Sequence, residues 1–158
     1  MSGQQGSAAI TVIVLMPLLI GILAGVIELG ALRVLAARVS AAADLATLAA
    51  ADDQDADALL TTGKIRLPAN AVPVARQFFA ANLEQVAPHL VRTPDAAAAE
   101  ADVAAFPDVP AIDPLTGWRY DHPTVRIAAS VPVRTPLFGA VLLPSVVTIN
   151  VRAASAAR

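Results

Sequence analysis

The chain is short, apolar and close to neutral. Its 158 residues are enough for one compact domain with an additional anchor. Hydrophobic residues make up 56% and charged residues 15%, so the sequence is more apolar than an ordinary soluble domain. The net charge of −2 provides no positive field that would attract nucleic acid. The absence of cysteine excludes disulfides, thiolate catalysis and thiolate metal sites.

The first predicted element is an apolar segment, residues 8–27, whose only polar side chain is Thr11. Every Lys, Arg, Asp and Glu lies at or after Glu28. A helix of this length rises about 30 Å, the hydrocarbon thickness of a bilayer, and Pro17 is tolerated in such a helix. We therefore predict a membrane-spanning helix. A buried core helix, a cleaved secretory signal and a generic single-pass anchor are the alternatives.

Residues in and around this segment bear on its packing and orientation. Gly21 and Gly25, with Gly30 further along, have the spacing that lets two membrane helices approach closely. We therefore predict helix–helix packing through Gly21 and Gly25. Arg33 and Arg38 follow the segment and no basic side chain precedes it, which mildly favours a cytoplasmic position for the C-terminal part.

Three blocks of residues carry a resemblance to a known family. The first is residues 6–9 followed by Pro17, the second is residues 25–30, and the third is the Ala-rich run 41–51. Together they resemble the TadE/TadG-like pseudopilins of tight-adherence (Flp) pilus-assembly systems, over roughly the first third of the chain. The positions that match or align with the family pattern are Thr11, Pro17, Glu28, Gly30 and Asp44.

The resemblance implies a processed membrane protein. It implies cleavage by a prepilin-type peptidase between Gly6 and Ser7, a membrane-embedded N-terminal helix and a C-terminal domain outside the cytoplasmic membrane. The implied partners are membrane lipid and other pilus-assembly or pseudopilin subunits, in a homo- or hetero-oligomer through the N-terminal helix. Three positions depart from the pattern, because Thr11 replaces a frequent Glu and Gln4-Gln5 replace the usual basic residues.

The helical pattern continues past the membrane segment to about Ala51. Ala-rich sequence has high helix propensity, and apolar residues recur at three- and four-residue steps. This stripe consists of Leu32, Leu35, Val39, Ala42, Ala46 and Ala49. We expect the stripe to pack within the chain, with partner subunits as the alternative. The acidic residues from Asp53 resemble a calcium loop, but Ala58 and Lys64 stand where Gly and Glu are required.

The remaining sequence predicts a second helix and a small antiparallel sheet. Asn70 is a candidate N-cap for the helix, Pro73 lies in its first turn and Pro88 ends it. One apolar face is predicted from Ala75, Phe78, Phe79, Leu83 and Val86. Alternation predicts strands over residues 124–131 and 145–153, with a weaker candidate over 101–106. Residues 137–143 form a buried connection, a short helix or an exposed apolar patch.

The fold class predicted is α+β, with a long N-terminal transmembrane helix. The domains are a leader (residues 1–6), a transmembrane segment (7–29), a helical extension (30–60) and a small extracytoplasmic α+β domain (61–158). His89 and His122 are isolated, and neither has a partner at metal-ligand spacing. The dyad Asp121-His122 comes with no nucleophile motif. We therefore predict no enzyme, no cofactor, no metal and no small-molecule substrate.

Three functions remain for such a chain. The first is a pseudopilin or minor-pilin-type component of a Flp pilus-assembly or type II/IV-like secretion system. The second is a single-pass, membrane-anchored extracytoplasmic binding protein unrelated to pili. The third is a secreted soluble protein. The first requires partner subunits, the second requires a concave pocket in the C-terminal region, and the third requires that the apolar segment be removed.

Overall fold

The long N-terminal helix, α1, runs from Gly3 to Asp52. A computed structural model describes residues 3–52, 56–135, 138 and 145–157, with the side chains of 3–11 and 56–58 left aside. At 1.5 Å per residue, the 50 residues of α1 extend for roughly 75 Å. The helix continues through Pro17. The prediction of one helix from the apolar segment to about Ala51 is therefore confirmed.

A short helix, α2, follows from Ala56 to Thr62. Gly63 ends it with φ +65°, a left-handed conformation that glycine adopts without steric cost. Its N–H donates to the carbonyl of Leu59 at 2.9 Å. Thr62 and Gly63 thus form the C-terminus of α2.

Helix α3 spans Ala71–Leu83 and buries Ala71, Ala75, Phe79 and Leu83. The prediction that both phenylalanines enter the core is wrong, because Phe79 is 0% exposed and Phe78 is 46% exposed. Residue 78 lies roughly 80° around the helix from the centre of the buried stripe, which follows a four-residue step. Asn70 occupies the predicted N-cap position, but its side chain makes no capping hydrogen bond.

The helix gives way to a 3₁₀ turn, Glu84–His89, which contains Pro88. A further helix, α4, spans Pro94–Glu100 in a region where sequence reasoning found only a weak strand. The Thr93 hydroxyl accepts a hydrogen bond from the N–H of Ala96 at 3.3 Å, and Pro94 begins the first turn. This start signal was present in the sequence. A helix of two turns is too short to show a clear apolar period, so the sequence pattern alone did not predict α4.

A three-stranded antiparallel sheet completes the domain in the order β1-β4-β5. The strands are β1 (Asp102–Phe106), β4 (Thr124–Arg134) and β5 (Val146–Ala156). A separate pair is formed by β2 (Ala111–Ile112) and β3 (Arg119–Tyr120). Ile127 of β4 lies opposite Val103 of β1 on one side and Ala153 of β5 on the other. All three predicted strands are confirmed, and the α+β class with them.

The core lies between the sheet and the helices α1 and α3. The predicted inward face of β4 is buried, with Val125, Ile127 and Val131 at 1% exposure or less. The predicted stripe of α1 is covered at Leu35, Val39, Ala42 and Ala46. Small alanine side chains let the α1 backbone approach the sheet closely. The expectation that the stripe packs within the chain is therefore confirmed. Residues 137 and 139–143, predicted as a connection or patch, lie outside the described residues.

Candidate functional site

The N-terminal half of α1 is mostly exposed within the part of the chain that the structure describes. An 18-residue window in the described part of this helix has a mean hydropathy of 2.6, and only 6% of it is buried. Leu18, Leu19 and Ile20 are all more than half exposed. This exposure contradicts the alternative of a buried core helix. The helix is long and apolar enough to cross a membrane.

The small residues of this half lie on open surface. A Cβ atom added at Gly21, Gly25 or Gly30 would meet no atom of the folded chain within 4 Å. The two glycines of the predicted packing motif therefore leave a shallow face without an intramolecular neighbour. Pro17 lies within the same exposed stretch. Helix packing through Gly21 and Gly25 stays a prediction.

The remaining motif residues are spread along α1. Gly6, Ser7 and Thr11 belong to its helical backbone, and their side chains lie outside the described part. Glu28 is fully buried, on the helix face that continues through Leu32 and Leu35 to the core. Asp44 is exposed, and its carbonyl accepts a hydrogen bond from the Thr47 hydroxyl. The motif residues therefore do not converge on one pocket.

The C-terminal half of α1 is joined to the sheet by packing and by one polar contact. Thr47 is fully buried, and its Oγ1 lies 2.9 Å from Oγ of Ser155 on β5. The opposite side of the helix remains open, with Leu45 and Leu48 more than half exposed. α1 thus presents apolar surface both in its N-terminal half and beside the domain.

A buried ionic cluster lies on the other face of the sheet, and the sequence did not reveal it. Arg126 of β4 is 3% exposed and Asp113, in the loop after β2, is 0% exposed. Arg126 Nε lies 3.1 Å from Asp113 Oδ2, a close ion pair without hydrogen-bond geometry. Arg126 Nη2 donates to Asp102 Oδ2 at 3.1 Å. The alternation of β4 placed Arg126 opposite the core correctly. Its burial depends on the β2–β3 hairpin, which folds over that face.

The same cluster fixes the loop between β2 and β3. Asp113 accepts hydrogen bonds from the N–H of Leu115 at 3.0 Å and the hydroxyl of Thr116 at 2.8 Å. The Tyr120 hydroxyl donates to the same carboxylate at 3.4 Å. Gly117 takes φ +73°, and its N–H donates to the Asp113 carbonyl. The loop from Asp113 to Gly117 is therefore an Asp-centred turn.

The surroundings of Asp113 and Tyr120 shift the pKa of both groups. Burial by itself raises the pKa of Asp113. The hydrogen bonds from Leu115 and Thr116 and the guanidinium of Arg126 lower it, and the net pKa falls below its usual value. Burial and the neighbouring Asp113 carboxylate raise the pKa of Tyr120. Asp113 is therefore an anion at neutral pH, held as a structural charge.

The outer side of this loop is apolar. Ile112, Leu115 and Trp118 project from it, and each is about half exposed or more. The buried polar cluster beneath these side chains holds the loop in one conformation. The exposed apolar surface is therefore preorganised. We call this exposed apolar surface, defined by Ile112, Leu115 and Trp118, the hairpin surface.

The histidines remain apart from this cluster. His89 and His122 are both exposed, and Asp121 pairs with Arg119 at 3.0 Å instead of forming a dyad with His122. Within the part of the chain that the structure describes, no group of three or more His, Cys, Asp or Glu side chains could hold a metal ion. The acidic cluster Asp53, Asp55 and Asp57 lies outside the described side chains.

Comparison with known proteins gives one match. Neither the curated proteins nor the solved structures contain a match to the chain. Residues 6–53, which are nearly coextensive with α1, match the model of a family described as putative Flp pilus-assembly TadE/G-like. The segment that carries the match is thus the long helix with its exposed apolar half. Over residues 6–53 the chain is therefore similar to the TadE/G-like Flp pilus-assembly family, as its sequence blocks implied.

Proposed function

We propose that the chain is a membrane-anchored pseudopilin or minor-pilin-type component of a Flp pilus-assembly or related secretion system. The observation that carries the proposal is the coincidence of the family match with α1, whose N-terminal half is apolar and uncovered. Such a surface requires lipid or other helices around it, because water would leave its apolar area unburied. The role is structural and not catalytic.

The proposed arrangement has one membrane pass and an extracytoplasmic C-terminal domain. The family resemblance supports this orientation, against the mild preference of the charges at Arg33 and Arg38. Partner subunits would contact the chain at three places. These are the Gly21–Gly25 face in the membrane, the Leu45–Leu48 side of α1 and the hairpin surface.

Membrane insertion is tested with a matched pair of lysine substitutions. Leu19→Lys places a charge within the apolar half of α1, whereas Leu48→Lys places it beside the domain, and both leucines are similarly exposed. A lysine near the centre of a membrane helix costs about 3 kcal/mol on insertion scales. We expect Leu19→Lys alone to shift protein out of the carbonate-resistant membrane fraction. Equal fractionation of the two variants would contradict the anchor.

Processing is tested by mass spectrometry of the mature N-terminus, in cells with and without a prepilin-type peptidase. We expect the protein to begin at Ser7 only when the peptidase is present. Gly6→Leu should block that cleavage, and Gly3→Leu is its matched control. A protein that keeps its N-terminal six residues in the presence of the peptidase would exclude a processed pseudopilin, while leaving the membrane anchor intact.

Orientation and partners are tested with introduced cysteines, because the native chain has none. A cysteine at the exposed position Trp118 should react with a membrane-impermeant maleimide added outside the cytoplasmic membrane. A cysteine at Leu48 should form crosslinks to other assembly subunits during pilus production. Labelling only after the cytoplasm is opened would refute the orientation.

A further inference from the structure

We propose that a cationic cleft at the membrane end of the domain binds the anionic headgroup of a membrane lipid. The cleft has a volume of about 250 Å³ and lies where α1, the 3₁₀ turn and the end of β4 meet. Arg38, His89 and Arg134 line it together with Leu32 and Leu35. The proposal goes beyond the proposed function and uses only its membrane anchor.

The fold itself brings the three basic residues together. Leu90 pairs with Val133 in an isolated antiparallel bridge, and the N–H of Val91 donates to the Pro132 carbonyl at 3.1 Å. This register places His89 opposite Arg134, so their side chains are cross-strand neighbours. α1 contributes Arg38 from the other side. The cleft is therefore built from three segments that are far apart in sequence.

Among the described residues, no carboxylate neutralises the positive charge of the cleft. Within the described residues, neither Arg38 nor Arg134 has a carboxylate in ion-pair distance, and the cleft lining contains no acidic residue. By contrast, Arg92 pairs with Glu100 elsewhere on the domain surface. Two guanidinium groups facing one opening are suited to a phosphate, which accepts their planar hydrogen-bond pairs.

The position of the cleft selects a lipid over a free phosphate. At 1.5 Å per residue, Ala31 lies about 6 Å along α1 from Ile27, the end of the apolar segment, at headgroup depth. Arg38 lies further out, but helical side chains lean towards the helix N-terminus. That direction is towards the membrane, so the Arg38 guanidinium lies nearer to the headgroups than the Arg38 backbone does. Leu32 and Leu35 give the cleft an apolar wall, which the glycerol and upper acyl chain of a lipid would cover and a free phosphate would not.

The experiment uses the full-length protein in nanodiscs of phosphatidylcholine with a minor fraction of phosphatidylglycerol. Native mass spectrometry counts the lipids that remain bound as the bilayer is stripped. Each juxtamembrane arginine favours anionic lipid about five-fold, so the two arginines predict a preference of roughly 30-fold. The double variant Arg38→Gln/Arg134→Gln should abolish it. Arg76→Gln, which removes an exposed arginine of α3 outside the cleft, should retain it.

The outcomes of the nanodisc experiment distinguish lipid binding from its alternatives. Equal retention of the two lipids by the native protein, or equal loss in the double variant and the Arg76 control, overturns the proposal. Displacement of phosphatidylglycerol by 10 mM inorganic phosphate, with phosphate binding in pure phosphatidylcholine, would reassign the cleft to free phosphate. Arg134→Glu, which reverses one exposed charge, should repel the anionic lipid while the unfolding midpoint stays that of the control. Failure to enter nanodiscs at all would instead refute the membrane anchor.

Discussion

Replacing Asp113 with Asn removes one charge of the buried pair with Arg126 and changes little else in volume. The native carboxylate accepts hydrogen bonds from Leu115 and Thr116 and neutralises a guanidinium that is 3% exposed. The variant leaves Arg126 with Asp102 as its remaining anionic partner. We expect the domain to be destabilised, because an incompletely paired charge then stays away from water.

The expected loss follows from the contacts. Breaking a buried ion pair by removing one partner typically costs about 3–5 kcal/mol. Two features lower this value for Asp113→Asn. The amide oxygen can still accept the hydrogen bond from Leu115, and Asp102, which is more than half exposed, still pairs with Arg126. The expected loss in the free energy of unfolding is therefore about 2–3 kcal/mol, which lowers Tm by roughly 10 °C for a domain of this size.

The assay is thermal unfolding of the full-length protein in detergent at neutral pH. Trp118 is the only tryptophan of the chain, and its carbonyl accepts a hydrogen bond from the Asp113 N–H, so its fluorescence reports on this loop. Asp121→Asn is the matched control, because Asp121 forms an exposed ion pair with Arg119. Exposed pairs contribute about 0–1 kcal/mol. If the two variants differ by less than about 0.5 kcal/mol, the Asp113–Arg126 pair does not stabilise the fold as argued.

Three further predictions concern the same domain. Phe79→Ala should destabilise it by about 3–5 kcal/mol and Phe78→Ala by less than about 1 kcal/mol, measured by chemical denaturation, because only Phe79 is in the core. The stability difference between native protein and Asp113→Asn should be constant from pH 8 to about 5 and shrink below about pH 4. The reason is that the pKa of Asp113 is lower in the folded protein than in the unfolded chain. This difference stabilises the fold at pH values above the unfolded pKa. The stabilisation is lost as the pH falls through the folded pKa. Thr47→Val and Ser155→Ala should show a coupling of about 0.5–1 kcal/mol in a double-mutant cycle; additive effects would exclude their hydrogen bond as a link between α1 and β5.

Elements with strong periodicity could be read from the sequence. The apolar segment and the Ala-rich run predicted α1, and alternation predicted β4 and β5, because backbone geometry repeats the same exposure at fixed intervals. The helix α4 was missed, although Thr93-Pro94 marked its start. The error at Phe78 has another cause, since a three-residue and a four-residue step both satisfy helical periodicity. Only the width of the covering surface decides which of two adjacent aromatic residues is buried.

Local sequence likewise predicted some of the candidate sites and not others. The motif positions of α1 came from local sequence, whereas the Asp113–Arg126 pair and the Arg38–His89–Arg134 cleft did not. Asp113 lies in the β2–β3 loop and Arg126 lies on β4, where it alternates with the core-facing residues Val125 and Ile127. No local pattern shows that the β2–β3 hairpin folds over it. The cleft likewise joins three separate segments.

The sequence by itself determined that this chain has a long helix with an apolar N-terminal half, because hydropathy and helix propensity are local properties. It also determined the family resemblance, which resides in that helix. The tertiary structure decided which charges are buried and which basic side chains share a cleft. Those outcomes depend on contacts between distant segments, and the free energy of such contacts is set only when the segments pack together.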